Sequence, residues 1–221
     1  MQVDTQFLSL LLAGLRDTLY MVLVSTALGY ALGLPLGILL AVSDQNGIRP
    51  RPALYRVLDV LTNLLRSVPF LILLILLIPL TRTLVGRSYG STATIVPLTV
   101  AAAPLIGRMV ESSLKEVAHG VIEAAQSMGA TDGAIIRKVL LGEARISLIV
   151  GVTISLGTIL GYSAMAGVVG GGGLGDIAIR YGYYRWETGI MLITVAVIVI
   201  LVQLLQWAGM RIAKNLDRRV A

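Results

Sequence analysis

Five stretches of mostly apolar residues, at about 18–42, 57–80, 92–112, 147–168 and 188–209, limit what this chain can become. A helix needs ~20 such residues to cross a hydrocarbon layer ~30 Å thick, and in lipid it must satisfy its backbone polar groups internally. The chain of 221 residues is 56% hydrophobic and only 14% charged, against roughly a quarter charged in soluble domains. The expectation is an all-α polytopic membrane protein: one membrane domain over 1–221, five transmembrane helices, and no room for a second soluble domain.

Residues 7–15 are apolar but too short to span, so they read as an interfacial helix ahead of Arg16-Asp17. The start lacks the basic region of a cleaved signal peptide, so the first span should be retained. In that span Gly29, Gly33 and Gly37 stack on one helical face, where small residues admit a close neighbour from this chain or from a second copy. Asn-Gly and two Arg-Pro steps mark 44–52 as a loop. The second span should kink at Pro69. It carries Asp59, Asn63, Arg66 and Ser67 on one stripe, which either pairs with another helix, with Arg66 free to snorkel to the interface, or faces a watery pathway. Residues 81–91 read as a short outer loop. Pro97 and Pro104 should bend the third span, whose end, Arg108, Glu111 and Lys115, reads as a helix emerging into water. The fourth span has tight-packing spacing at Ser147, Gly151 and Ser155, then at Gly157 and Gly161. Residues 169–187 read as a glycine-rich loop. Trp186 and Trp207 bracket the fifth span, about 31 Å apart along a helix, and a basic tail, 211–219, follows.

Lys and Arg number three in 43–57, four in 113–146 and four after 209, eleven in all, against five in the segments on the other side. Basic residues gather on the cytoplasmic side, so 114–146 and the C-terminus are expected in the cytoplasm and the N-terminus outside. The net charge of +6 is then topological and calls for no nucleic acid.

Motifs for chemistry fail on context. Gly170-Gly-Gly172-Gly-Leu-Gly175 has the letters of a dinucleotide fingerprint but follows an apolar helix rather than a strand, with no acidic residue about twenty positions on. Gly86-Arg-Ser88-Tyr-Gly90 has the letters of a nucleophile elbow, but the lone histidine, His119, is expected across the membrane. There is no cysteine and no Walker loop. Neither catalytic nor metal-ligating residues are expected, and the chain carries no energy source of its own.

Against this background 121–143 is a polar, helix-prone island. Glu123 to Met128 favours helix, with Ala124 and Ala125 as a small face. Gly129 can take the left-handed turn that ends a helix. Thr131 then suits an N-cap, with Asp132 favourable to the new helix dipole. Ile135, Ile136, Val139 and Leu140 make an apolar stripe. Helix, sharp turn, helix is the shape of a knob that docks on protein.

Glu123-Ala-Ala-x-x-x-Gly129 followed by Leu140-Leu-Gly-Glu-Ala144 resembles the EAA loop of bacterial ABC importer permeases. With Leu65-Arg-Ser-Val-Pro-Phe70, the run from Ile95 to Pro104, Gly161-Tyr-Ser-Ala-Met165 and Gly173-Leu-Gly…Tyr181-Gly-Tyr183, nearly the whole chain is similar to the five-span permeases of methionine importers. The resemblance implies a type I ABC importer permease fold in the bacterial inner membrane. It implies a cytoplasmic coupling helix (Glu123, Ala124, Ala125, Met128, Gly129, Ala130, Thr131) docked on an ABC ATPase. Two ATPase copies would hold ATP and Mg, so no cofactor is expected on this chain. A second permease copy and a periplasmic methionine-binding protein complete the expected assembly. Tyr162, Ser163 and Met165 would lie along the pathway with Arg66 of the polar stripe, Met165 as an apolar gate. Where the family usually has Leu-Pro, this chain has Leu141-Gly142, a looser turn. An ion-coupled secondary transporter would leave the island without a purpose, and an intramembrane enzyme lacks a nucleophile–base pair. A permease for polar amino acids is the nearest alternative.

Overall fold

The computed structural model describes residues 5–217 as helices joined by short connections. Helix α1 (Thr5–Ser43) is a single rod of 39 residues, about 58 Å at 1.5 Å per residue. The interfacial helix and first span expected from sequence are therefore one element. Arg16 and Asp17 pair with each other at 3.2 Å on the exposed side, while Gly14, Thr18 and Met21 face inward. The charged step occupies one face without interrupting the helix.

α1 packs along α5 (Ser91–Lys115), and the glycine ladder is the reason they approach so closely. A Cβ on Gly29 would lie 2.7 Å from Cβ of Ala102, and one on Gly33 would lie 2.7 Å from the Ala103 carbonyl oxygen. One on Gly37 would lie 2.5 Å from the Gly107 carbonyl oxygen. The ladder's neighbour thus belongs to this chain. α5 runs unbroken through Pro97 and Pro104, both buried.

The second span is not kinked but broken. α2 (Pro52–Ser67) and α3 (Phe70–Leu76) meet at 99°. Val68 is extended, with ψ 123, as a residue before proline prefers, and Pro69 has no N–H to continue a ladder. Among the described residues, four helices are long and apolar enough to cross a membrane, and the broken pair makes a fifth if counted as one span. The outer loop expected at 81–91 is partly helical, because α4 (Ile78–Val85) continues to Gly86.

Beyond α5 lie α6 (His119–Ser127), α7 (Asp132–Ala134), a π-helical turn (Ile135–Leu140) and α8 (Leu141–Glu143). α9 (Arg145–Ala166) re-enters the core and packs on α5, with Ser113 and Ser147 hydroxyls 2.9 Å apart. Ser147 and Ser155 meet α5, the latter with its hydroxyl 3.2 Å from Met109 Sδ, but a Cβ on Gly151 would be 3.7 Å from Met109 Cβ, an ordinary contact rather than a tight one. A Cβ on Gly161 would meet nothing within 4 Å, and one on Gly157 would be in ordinary contact with Gln206.

The glycine-rich segment is largely helical rather than a loop. It forms a short 3-10 turn (Gly167–Val169), α10 (Gly173–Ile177) and a π-helical turn (Ala178–Tyr183). Gly173, at φ +76, brings the backbone against α1, where the Thr18 hydroxyl accepts the Leu174 N–H at 2.9 Å. Leu174 and Ile177 are buried there. α11 (Thr188–Leu216) presents Leu192, Val199 and Leu204 outward and buries little, as a lipid-facing helix should. It carries Arg211 and Lys214 of the expected tail, while Arg218 and Arg219 lie outside the described residues.

Gly33→Ala should destabilise the detergent-solubilised protein by about 1–3 kcal/mol, because the added methyl has no space. Gly142→Ala, at an uncrowded helical position, should leave the melting temperature unchanged or raise it by up to ~1 kcal/mol equivalent. Thermal unfolding of the two variants checks both signs.

Candidate functional site

The island folds as its sequence implies. α6 ends with the Gly129 N–H donating to the Gln126 carbonyl at 2.9 Å and the Ala130 N–H to the Ala125 carbonyl at 3.1 Å. This paired pattern closes a helix through a left-handed residue, and Gly129 has φ +77. Thr131 then caps the next helix, its hydroxyl accepting the Ala134 N–H at 3.4 Å.

The two alanines divide between faces. Ala125 is buried, as are Ile135 and Leu140, with Ile122 packed against that core. Ala124 points outward, with Val121 and Glu123. Met128 at the tip is 82% exposed. His119 Nε2 lies 3.3 Å from Glu123 Oε1. The result is a rigid knob with a small apolar face turned away from its own chain.

What sequence reading missed is how the knob's neck is fastened. Lys115 Nζ donates to Asp44 Oδ2 and to Glu111 Oε1, each at 2.8 Å. Arg108 donates to Glu111 Oε2 at 2.6 Å and to Asp59. The Tyr55 hydroxyl adds a hydrogen bond to Glu111 at 3.1 Å. Charges therefore alternate Asp44, Lys115, Glu111, Arg108, Asp59, joining the end of α1, α5 and α2. Arg49 extends the fastening to the knob itself, 2.5 Å from Asp132.

The end of α5 does not simply emerge into water, since Glu111 is 3% exposed. Its i, i+3, i+7 charges signalled a helix end, but the acid on α2 and the one after α1 come together with them only in the fold. Burial alone would raise the Asp44 carboxyl. Hydrogen bonds from Lys115 and from the Asn46 N–H, with the Lys115 charge, outweigh it and hold the group below its ordinary range.

The α2 stripe splits between the two readings open to it. Asp59 pairs across to α5 and accepts Asn63 Nδ2 at 3.3 Å, and Ser67 donates to the Asn63 carbonyl. Arg66 is exposed and has no hydrogen bond or ion pair among the described residues. It borders a cavity of about 140 Å³ at the α2–α3 break, with Phe70, Leu73, Ala101, Leu105 and Tyr162. Phe70 and Tyr162 stack there, rings 4.6 Å apart and 4° from parallel.

Of the other residues expected along a pathway, Met165 is exposed on the same side of α9 as Ile154, and Val168 in the turn that follows is exposed too. Ser163 is turned into the core, its hydroxyl donating to the Leu160 carbonyl at 2.7 Å. The structure thus gathers Arg66 and Tyr162 at one cavity, leaves Met165 open nearby in sequence, and buries Ser163.

Residues 33–221 match the family described as binding-protein-dependent transport system inner membrane component. The chain is 50% identical over 210 residues to a probable D-methionine transport system permease protein MetI of Vibrio cholerae serotype O1, covering 95% of this chain and 93% of that one. It is 51% identical over 158 residues to the D-methionine transport system permease protein MetI of Escherichia coli K12, covering 72% of this chain and 73% of that one. Among solved structures, an inward-facing MetNI methionine ABC transporter superposes with a TM-score of 0.96 at 47% identity, covering 97% of this chain and all of that one. A chain of an amino acid ABC transporter, 20% identical with a TM-score of 0.79 over 98% of this chain and 100% of that one, shares the fold.

Removing the central carboxylate should be costly. Glu111→Ala leaves two cations without their shared partner and should destabilise the protein by about 3–5 kcal/mol. Tyr55→Phe removes one hydrogen bond and should cost ~1 kcal/mol. Thermal melts of the two variants rank them.

Proposed function

The chain belongs to the family of binding-protein-dependent transport system inner membrane components, and on that premise we propose that it is the membrane-spanning permease of an ATP-driven importer of methionine. The observation that carries the substrate is the 50% identity over 95% of the chain to a methionine permease. Both enantiomers are within its range, since recognition of a thioether side chain and a carboxylate does not by itself fix the α-carbon's hand. The chain serves as a transport subunit, with ATP and Mg bound and hydrolysed by a separate ATPase.

Five membrane elements are few to enclose a solute path, so two copies form it, each knob docked on one of two ATPase subunits. Val121, Ala124 and Met128 supply the outward contact, and Gly129 fixes the angle at which it is offered. ATP-driven closure of the ATPase pair moves the knobs together. The knob is fastened at Arg49–Asp132, and its neck joins the alternating charges that end on α2. Displacement is therefore carried toward the α2–α3 break rather than absorbed in a loop. The pathway then opens alternately to the two sides, with Arg66 and Tyr162 along it and Met165 as an apolar gate, while Ser163 is turned into the core.

The excess of Lys and Arg beside the knob supports a cytoplasmic knob and C-terminus and an outward N-terminus. A methionine-binding protein delivers substrate to the outer face, where Tyr183, Tyr184 and Trp186 are exposed.

Proteoliposomes holding the permease, its ATPase and its binding protein test the reading. ATP should drive uptake of L- and D-methionine in preference to glutamine, and uptake driven by an ion gradient without the ATPase would contradict it. Gly129→Val forces a β-branched residue into a left-handed conformation at a cost of about 1–3 kcal/mol. It should leave the permease inserted while weakening ATPase association roughly tenfold, the equivalent of ~1.4 kcal/mol; co-purification titrations measure it.

A further inference from the structure

Arg66 stands in an unusual place for a charge without a partner. α2 climbs antiparallel along α5, from Tyr55 at Glu111, through Asp59 at Arg108, to Arg66 beside Ala101 and Leu105. Ala101 lies ten residues from Ser91 and fourteen from Lys115 on a helix of 25 residues, about 15 and 21 Å from its two ends. Arg66 is therefore near mid-depth, out of easy reach of either headgroup layer. Leaving a guanidinium unpaired in hydrocarbon is costly. The nearest acid on its own helix, Asp59, is already engaged by Arg108.

The cavity it borders is apolar on its other sides. Phe70 and Tyr162 form a flat stacked wall, and Leu65, Val68, Leu73, Ala101 and Leu105 complete the lining without a carboxylate. At about 140 Å³ it has room for a handful of waters, at ~30 Å³ each, which matches a carboxylate and part of a side chain rather than a large solute. A planar fork of donors suits a carboxylate bidentately, and an aromatic face suits a thioether.

We propose that the cavity at the α2–α3 break is a transit subsite for an α-amino acid, with Arg66 holding the carboxylate and the Phe70–Tyr162 stack receiving the side chain. The substrate class rests on the reading of the chain as a methionine permease, whereas the anion preference rests on Arg66 and the cavity alone. The break in α2 then has a use: it ends the helix beside the site, so that Arg66 and Phe70 face one space.

The chain has no cysteine, so a single thiol at Leu105→Cys reports on the cavity in the assembled transporter. Two methanethiosulfonates, one bearing a sulfonate and one a trimethylammonium group, are compared by rate. With Arg66 present the anionic reagent should be favoured, and Arg66→Gln should lower the anionic-to-cationic ratio at least fivefold while Arg66→Lys retains most of it. Millimolar methionine should slow labelling, whereas methioninol, which lacks the carboxylate, should not. If Arg66→Gln does not assemble, the methionine–methioninol comparison in the Arg66 background and the Lys variant carry the test.

Equal ratios with and without Arg66, equal protection by methioninol, or no labelling by either reagent would overturn the subsite. A ratio near one with Arg66 in place would also overturn it, by showing that a carboxylate of the second copy already neutralises the guanidinium. Loss of the methionine reading is separable: the anion preference would persist while proteoliposomes with the unmodified permease failed to import methionine.

Discussion

Glu111, buried between Arg108 and Lys115, is the interaction on which the knob-bearing end of this structure depends. Burying a carboxylate there without partners would be costly, and the two cations beside it would repel each other in its absence. The chain of alternating charges solves both problems at once and ends on acids that lie outside α5, Asp44 after α1 and Asp59 on α2. Three helices are joined by contacts whose geometry is directional, unlike apolar packing, which tolerates sliding. That gives the neck of the knob a stiffness that the short loops around it would not supply.

The membrane imposes the second constraint. Lipid supplies no hydrophobic drive for one helix to seek another, so close approach has to come from shape. The α1–α5 seam, with Gly29, Gly33 and Gly37 against α5, expresses this over three successive turns. α11 contributes little to that core and presents its apolar surface outward. Directional ionic contacts at one end and a glycine seam along the middle leave the α2–α3 break as the least constrained part of the domain, and that is where the exposed Arg66 and the aromatic stack are found.

Much of this was legible in the residues. Periodicity and length located the long helices, and the Gly129–Thr131 grammar defined the knob, because both are local properties. Departures occurred where local signals were ambiguous. Arg16-Asp17 read as a boundary, yet charges confined to one face do not stop a helix. Val68-Pro69 read as a kink, and only the extended Val68 turns it into a right-angled break. The run from Gly170 to Gly175 read as a flexible loop, whereas its glycines let α10 settle against Thr18 of α1. Ser163 was placed by its neighbours' motif rather than by its own face and points into the core. The ionic chain was the least legible feature, because Asp44, Asp59 and Lys115 come from the turn after α1, from α2 and from α5, and nothing in their spacing announces it.

The central claim is that movement of the knob reaches α2 through this chain of charges. In the cysteine-free chain, spin labels at Met128→Cys and, separately, at Leu64→Cys report the distance between the two copies at the knob and at α2. On ATP binding both distances should change in the unmodified background. With Glu111→Gln the knob distance should still change while the α2 distance stays fixed or broadens. An α2 change that follows the knob equally well without the Glu111 charge would contradict the account.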